Sequence, residues 1–255
     1  MLWFIVLNIG VTVLVLTIAG LIFHKVRKIH LASYDLVDKI SEIHRESKWL
    51  YAQMQAFHSL DRLLQLPAPL PTLRGWAASP DFLLEIAKYV LEAKPETALE
   101  CSSGCSTVVL ARSMQLNGEG HVYGLEHDST YAAITRRELE RQGLMEWATI
   151  IDAPLVEMKD LPGHRWYSLE SLPHLDNLVD MVVIDGPPMT ACNLARYPAF
   201  PMLKHTFSDC CRIFLDDASR SDEKEIVARW LKSDSKWMAR LINCEKGCAM
   251  LWKAQ

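Results

Sequence analysis

Five short apolar segments of this sequence end in a carboxylate: Glu100, Glu126, Asp152, Asp185 and Asp216, the last followed at once by Asp217. A carboxylate in such a place can accept hydrogen bonds from a diol, take a proton from a nucleophile, or join other oxygen ligands around a hard divalent cation. It can also do no more than favour the positive N-terminus of the next helix. Capping accounts for one or two of these acids more easily than for five. Asp185 further opens the turn sequence Asp-Gly-Pro-Pro, so a structural role stands beside the chemical one.

Between the first acid and the next helical pattern runs ECSSGCST, Glu100 to Thr107. A dinucleotide loop needs G-x-G-x-x-G, so that backbone N–H groups can approach a pyrophosphate. Here the only glycine is Gly104. The loop is therefore a poor phosphate cradle, and a cofactor without phosphates would suit it better.

The elements that must hold these residues read as alternating helix and strand. Asp81–Glu92 is an amphipathic helix with Ser79 or Asp81 as cap. Thr97–Glu100, His121–Glu126, Ala148–Asp152, Val179–Asp185 and Cys211–Asp216 read as strands, with helices expected over Thr107–Leu116, Ser129–Gln142 and Glu223–Leu231. Short β-branched strands separated by helices imply a parallel sheet covered on both faces. Trp237–Asn243 and Cys248–Lys253 read as a closing antiparallel hairpin, an ending that simple dinucleotide folds generally lack. Leu155–Asp176 is an insertion between the third and fourth strands that would form part of a lid, and His164, His174, His205, Arg196 and Tyr197 are substrate-side candidates.

Upstream lies a different kind of chain. Leu2–Phe23 is uncharged and, at about 1.5 Å per residue, long enough to cross a hydrocarbon core of roughly 30 Å. It lacks the basic n-region of a signal peptide, and Lys25, Arg27 and Lys28 follow it, so an uncleaved single-pass anchor in the cytoplasmic (inner) membrane is expected, with the C-terminal bulk in the cytoplasm. Leu36, Ile40, Ile43, Ser47, Leu50, Met54, Phe57, Asp61 and Leu64 then advance by fours and threes, a 3.5-residue repeat. Residues 30–66 would form either a coiled coil pairing two copies, or a helix laid against the following domain or continuing the anchor. Pro67, Pro69 and Pro71 end that helix and open an extended lead-in with a turn at Arg74-Gly75. The expected organisation is an anchor over 1–24, a linker helix over 25–66 and a catalytic domain over 67–255.

The 255 residues are half hydrophobic, with a formal net charge of −4. Without a basic block the chain has no electrostatic footprint for nucleic acid. Its seven cysteines have no disulfide or zinc framework, which fits a reducing compartment.

ETALECSSGCST, VYGLEHD, VVIDGPP and IFLDDASRSDEKEIVARW, in this order, resemble the class I S-adenosylmethionine-dependent methyltransferases, in particular a bacterial branch with E-x-G-x-G-x-S-T, L-E-H-D, D-G-P-P and L-D-D-A motifs. The resemblance covers roughly residues 67–238. It implies an α/β, Rossmann-like fold with a mostly parallel seven-stranded sheet and a C-terminal hairpin. It places Glu100, Ser102, Gly104, Ser106 and Thr107 on the loop around the methionine part of S-adenosylmethionine. Glu126 falls on the acid for the ribose hydroxyls, His127 near the adenine, and Asp152 and Ala153 at the adenine edge. Asp185, Asp216 and Asp217 resemble the Mg²⁺ ligands of catechol-type O-methyltransferases, with Asp185 as general base in a metal-free alternative. Three departures stand out: Ser102 replaces a glycine, Asp217 stands where Asn is usual, and no Lys follows Asp185 at short range as a base.

The expected function is methyl transfer to an oxygen of a membrane-proximal acceptor such as a lipid-linked glycan. A non-enzymatic interaction protein that keeps the fold, and an aminopropyltransferase, are the alternatives.

Overall fold

The computed structural model describes residues 1–73, 75 and 77–254, without the side chains of residues 2, 6, 45 and 46. Arg74 of the expected turn lies outside the described residues, while Gly75 adopts φ +74°. The chain divides into two compact units, Met1–Tyr51 and Ala52–Gln255.

Helix α1 spans Leu2–Leu64. Its first part contains the one described stretch long and apolar enough to cross a membrane, with exposed side chains along it. Within the second unit the end of α1 packs inward through Ala56, Leu60 and Leu64, spaced by four, so this stretch lies against the domain that follows it. Of the 3.5-residue seam, Leu64 is buried whereas Leu36, Ile40, Ile43, Leu50, Met54 and Phe57 are exposed.

The remaining elements are α2 (Pro80–Ala93), β1 (Thr97–Cys101), α3 (Cys105–Asn117), β2 (His121–Glu126), α4 (Ser129–Arg141), β3 (Ala148–Asp152), β4 (Leu155–Glu157), β5 (Arg165–Tyr167), β6 (Val179–Ile184), α5 (Ala199–Leu203), β7 (Phe207–Leu215), α6 (Ser221–Ser233), β8 (Trp237–Ile242) and β9 (Cys248–Lys253). The expected strands and helices are present, with ends shifted by a few residues. Asp185 and Asp216 sit just beyond their strands, and β7 begins at Phe207, before the apolar run that announced it. Helix α2 starts at Pro80 after Ser79, where a missing N–H costs nothing.

The main sheet runs β3-β2-β1-β6-β7-β9-β8. The first five strands are parallel, and β9 pairs antiparallel with both β7 and β8. Strand order reverses between β1 and β6, which opens a crevice at their carboxyl ends. Two apolar layers hold the sheet flat against its helices. One joins Phe82, Ile86 and Val90 of α2 to Val108 and Val109 of α3, and the other joins Trp230 of α6 to Phe200, Phe207 and Trp237. Burying the α2 face alone contributes about 2 kcal/mol per large side chain.

The inserted segment between β3 and β6 contains a separate two-stranded antiparallel ribbon, β4–β5, in which Leu155 stands opposite Tyr167.

Candidate active site

All five strand-end acids lie on the carboxyl side of the main sheet, and they separate into three environments. Glu100, on β1, is fully buried. Ser106 and Thr107 donate to its two oxygens, Thr107 at 2.6 Å, and Thr107 in turn accepts from Gly104 N at 2.9 Å. Burial pushes its carboxyl up to about 7, against the pull of these two hydroxyls. Glu100, Ser106, Thr107 and Gly104 thus brace the β1–α3 loop from within and stand behind the cavity wall.

Ser102 forms part of that wall with φ +135°, a backbone region that side chains rarely adopt. Its N–H donates to Leu125 O at 3.1 Å, which ties the loop to β2. The glycine-like backbone that the family pattern implies at this position is therefore present, with serine bearing the strain.

Glu126 ends β2 and faces the cavity. Burial pushes its carboxyl up, but contacts from His127, Asp128 N and Ser103 outweigh that and hold it below the usual range, so it is ionised. Ser103 Oγ donates at 2.9 Å and Asp128 N at 3.0 Å. His127 Nδ1 lies 3.1 Å from the same carboxylate, which raises the imidazole's pKa. An ionised carboxylate of this kind, buried in the cavity wall, suits a pair of hydroxyl donors. Asp128 caps α4 by accepting from Thr130 N and Tyr131 N.

Asp152 and Ala153 are not on the cavity wall. Asp152 is exposed and pairs with Arg136 at 2.9 Å, and Ala153 is buried with its N–H donated to Glu126 O at 2.7 Å.

Across the cavity, Asp185, Asp216 and Asp217 bring one oxygen each within 4.8 Å of one another. Arg196 penetrates this cluster. Its Nη2 lies 2.8 Å from Asp217 Oδ2 and 3.3 Å from Asp185 Oδ1, and Nη1 donates to Asp216 O at 2.9 Å and sits 3.6 Å from Glu223. Arg220 adds a second cation at 2.9 Å from Asp217, whose backbone holds φ +59° to face both. Burial raises the Asp185 carboxyl to about 7, with Arg196 drawing it down and Asp217 pushing it up. Asp216 is pushed well above its usual range by burial and by Asp185 and Asp217. Asp216 Oδ2 and Asp217 Oδ1 remain buried without a partner. Arginine thus supplies the permanent counter-charge, and two oxygens remain that fit a hard cation.

Ser102, Ser103, Glu126, His127, Asp185, Gly186 and Arg196 line one cavity of about 340 Å³, within the usual range for small-molecule sites. Sequence reasoning missed several of its walls. Asp128 and Arg220 lie inside quoted motifs without having been given roles, while Met189 and Thr190 follow the Asp-Gly-Pro-Pro turn. Lys246 had no local signal. It arrives because the β8–β9 turn is pinned by Ala218 N to Gly247 O and Ser219 N to Lys246 O, each at 3.0 Å. The other candidates lie elsewhere: His174 and His205 are exposed around Asp176, and His164 packs against the Tyr197 ring. All seven cysteines are free thiols.

Residues 99–218 match the family model described as a methyltransferase domain. No curated protein matches the chain by sequence. Among solved structures, a candidate O-methyltransferase from Klebsiella pneumoniae superposes with a TM-score of 0.58 at 19% identity, covering 82% of this chain and 99% of that one. An S-adenosylhomocysteine-bound methyltransferase from Podospora anserina gives 0.53 at 15% identity, covering 87% and 96%. The O-methyltransferase from Bacillus cereus, in complex with S-adenosylhomocysteine, gives 0.52 at 18% identity, covering 78% and 90%. At these identities the likeness establishes the Rossmann-like methyltransferase fold.

Proposed function

We propose that this methyltransferase, whose domain includes residues 99–218, carries a methyl group from S-adenosylmethionine to an oxygen of an acceptor at the cytoplasmic face of a membrane. One observation carries the reading. A single cavity sets an ionised carboxylate, Glu126, on one side and a buried carboxyl tuned to about 7, Asp185, on the other.

S-adenosylmethionine supplies an electrophilic methyl carbon and needs no phosphate cradle. Glu126, oriented by Ser103 and Asp128 N, would accept from the ribose hydroxyls, and His127 would flank the base. Glu100 holds the loop that carries Ser102 and Ser103. Asp185 would take the proton of the acceptor hydroxyl as the methyl carbon exchanges its bond to sulfur for one to that oxygen and S-adenosylhomocysteine leaves, a role that suits a carboxyl raised to about 7. Arg196 keeps Asp185 aimed while balancing Asp217 and Glu223.

Asp185, Asp216 and Asp217 would also hold Mg²⁺, with Asp216 Oδ2 and Asp217 Oδ1 as its unpartnered ligands, and the ion would lower the pKa of the acceptor hydroxyl. The metal-free reading is favoured by Arg196, which already occupies the heart of the acid cluster.

The acceptor reading comes from the N-terminal run Leu2–Phe23, which would anchor the enzyme with Lys25, Arg27 and Lys28 on the cytoplasmic side. A lipid-linked glycan presents hydroxyls at that surface. Within residues 30–66, the exposed seam positions from Leu36 to Phe57 would pair two copies there. The test uses the full chain in lipid nanodiscs with methyl-labelled S-adenosylmethionine and a membrane extract rich in glycolipid. Label in base-stable ether linkage of the lipid fraction, lost in Asp185→Asn, is expected. Label confined to water-soluble acceptors would overturn the membrane part, and transfer undiminished in Asp185→Asn would overturn the base.

A further inference from the structure

The proposed chemistry leaves one buried group of the cavity unused. Tyr167 ends β5 of the inserted ribbon, is 2% exposed, and lines the cavity, yet its hydroxyl has no hydrogen-bond partner. A buried phenol without a partner is destabilising, because water's hydrogen bonds have been removed and nothing replaces them. The ring cannot swing out to recover them. It is packed edge-on against Trp166 at 5.0 Å between centroids and stands 6.1 Å from the His127 ring. The ribbon's register, with Leu155 opposite Tyr167, and the bond from Ser168 N to Pro154 O fix the backbone that delivers it.

The hydroxyl ends beside Gly186. A Cβ built on Gly186 would lie 2.3 Å from Tyr167 Oη, and 3.2 Å from both Cys101 O and Ser102 Cβ. The oxygen therefore stands where the β1 loop meets the turn after β6, the point at which strand order reverses. Glycine at 186 is what leaves room for it. Burial pushes the phenol well above its ordinary range, so the group is a neutral donor. Its ring lies on the Glu126–His127 side and its oxygen on the Asp185 side.

We propose that Tyr167 is a cofactor-binding residue, its hydroxyl completing its hydrogen bonding with the middle of S-adenosylmethionine, where sugar meets sulfur. This rests on the reading of the cavity as an S-adenosylmethionine site and adds to it a residue from an insertion outside the sheet. The same insertion thereby contributes a wall of the cofactor pocket. Because the contacted region is common to substrate and product, S-adenosylmethionine and S-adenosylhomocysteine depend on the hydroxyl alike.

The test is calorimetric titration of both ligands into the full chain in detergent micelles, as wild type and as Tyr167→Phe, alongside thermal melts without ligand. About a tenfold loss of affinity for both ligands is expected in Tyr167→Phe, with a ligand-free Tm that is unchanged or higher because an unsatisfied hydroxyl has gone. A merely structural hydroxyl would lower the Tm and leave affinity alone. Gly186→Ala, which drives a methyl against the same oxygen, is expected to weaken both ligands as well. Wild-type affinity retained in Tyr167→Phe overturns the inference while leaving the cofactor reading intact. Failure of the wild type itself to bind either ligand overturns both.

Discussion

Replacing Ser102 with glycine is expected to stabilise this protein, although the change removes a side chain. Ser102 holds φ +135°, and a non-glycine residue in a sparsely populated backbone region costs on the order of 1–3 kcal/mol. Glycine removes that strain but adds freedom to the unfolded chain, a loss of about 0.4–1 kcal/mol. The bond from Ser102 N to Leu125 O belongs to the backbone and survives the change. The balance is a gain of about 1 kcal/mol, or a Tm rise of about 2–4 °C for a unit of this size. Thermal melts of the full chain in micelles would read it, with Ser102→Ala as the control that keeps Cβ and therefore the strain. Cofactor affinity should be kept or improved, since the loop conformation is already the one glycine prefers. An equal gain in the alanine variant, or a Ser102→Gly Tm at or below wild type, would refute the argument from backbone strain.

Other perturbations follow from the acid groups. Asp185→Asn should lower kcat by about 10²-fold or more while leaving S-adenosylmethionine affinity within a fewfold, read by steady-state kinetics and calorimetry. Glu100 has a folded pKa of about 7 against an ordinary value of 4.5, so the folded state binds more protons between those values. Stability from this group is full below about 4.5 and is lost as pH rises through about 7, by at most roughly 3 kcal/mol. Glu100→Gln should therefore flatten the decline in Tm between pH 5 and 8, and an unchanged slope would contradict the burial argument. Arg196→Met leaves Asp185, Asp217 and Glu223 without their buried cation and should cost about 3–5 kcal/mol in chemical denaturation. Millimolar Mg²⁺ should restore part of that loss if the acid oxygens accept a divalent ion, and wild type should respond less.

The parallel strands were legible because they are short and mostly buried, and because the apolar runs of β2, β3, β6 and β7 stop at Glu126, Asp152, Asp185 and Asp216. β7 began earlier than expected because Phe207 already pairs with Val179, ahead of a bulge whose residues Asp209 and Cys210 are exposed and interrupt the apolar run. Glu126, His127 and Asp185 could be placed on one side of the sheet from chain order alone. Which loop residues face inward could not, since Glu100, Ser106 and Thr107 satisfy one another behind the wall. The seam of the linker helix had two readings. Its last turns chose the Ala56–Leu60–Leu64 row, a different face from most of the 3.5-residue repeat. Arg196 read as a substrate-side residue; it lines the cavity and is also the counter-ion of the acid cluster, a role that depends on three separate loops meeting. Lys246 reaches the cavity from a hairpin turn with nothing near it in sequence to announce it, whereas Tyr167 comes from the inserted segment that read as part of a lid.

The account stands most directly on whether the cavity binds S-adenosylmethionine through Glu126. Equilibrium titration of the full chain in micelles should show saturable one-to-one binding in the micromolar range, weakened at least tenfold by Glu126→Ala with the fold intact by circular dichroism. Binding absent at millimolar ligand, or unaffected by Glu126→Ala, would contradict it.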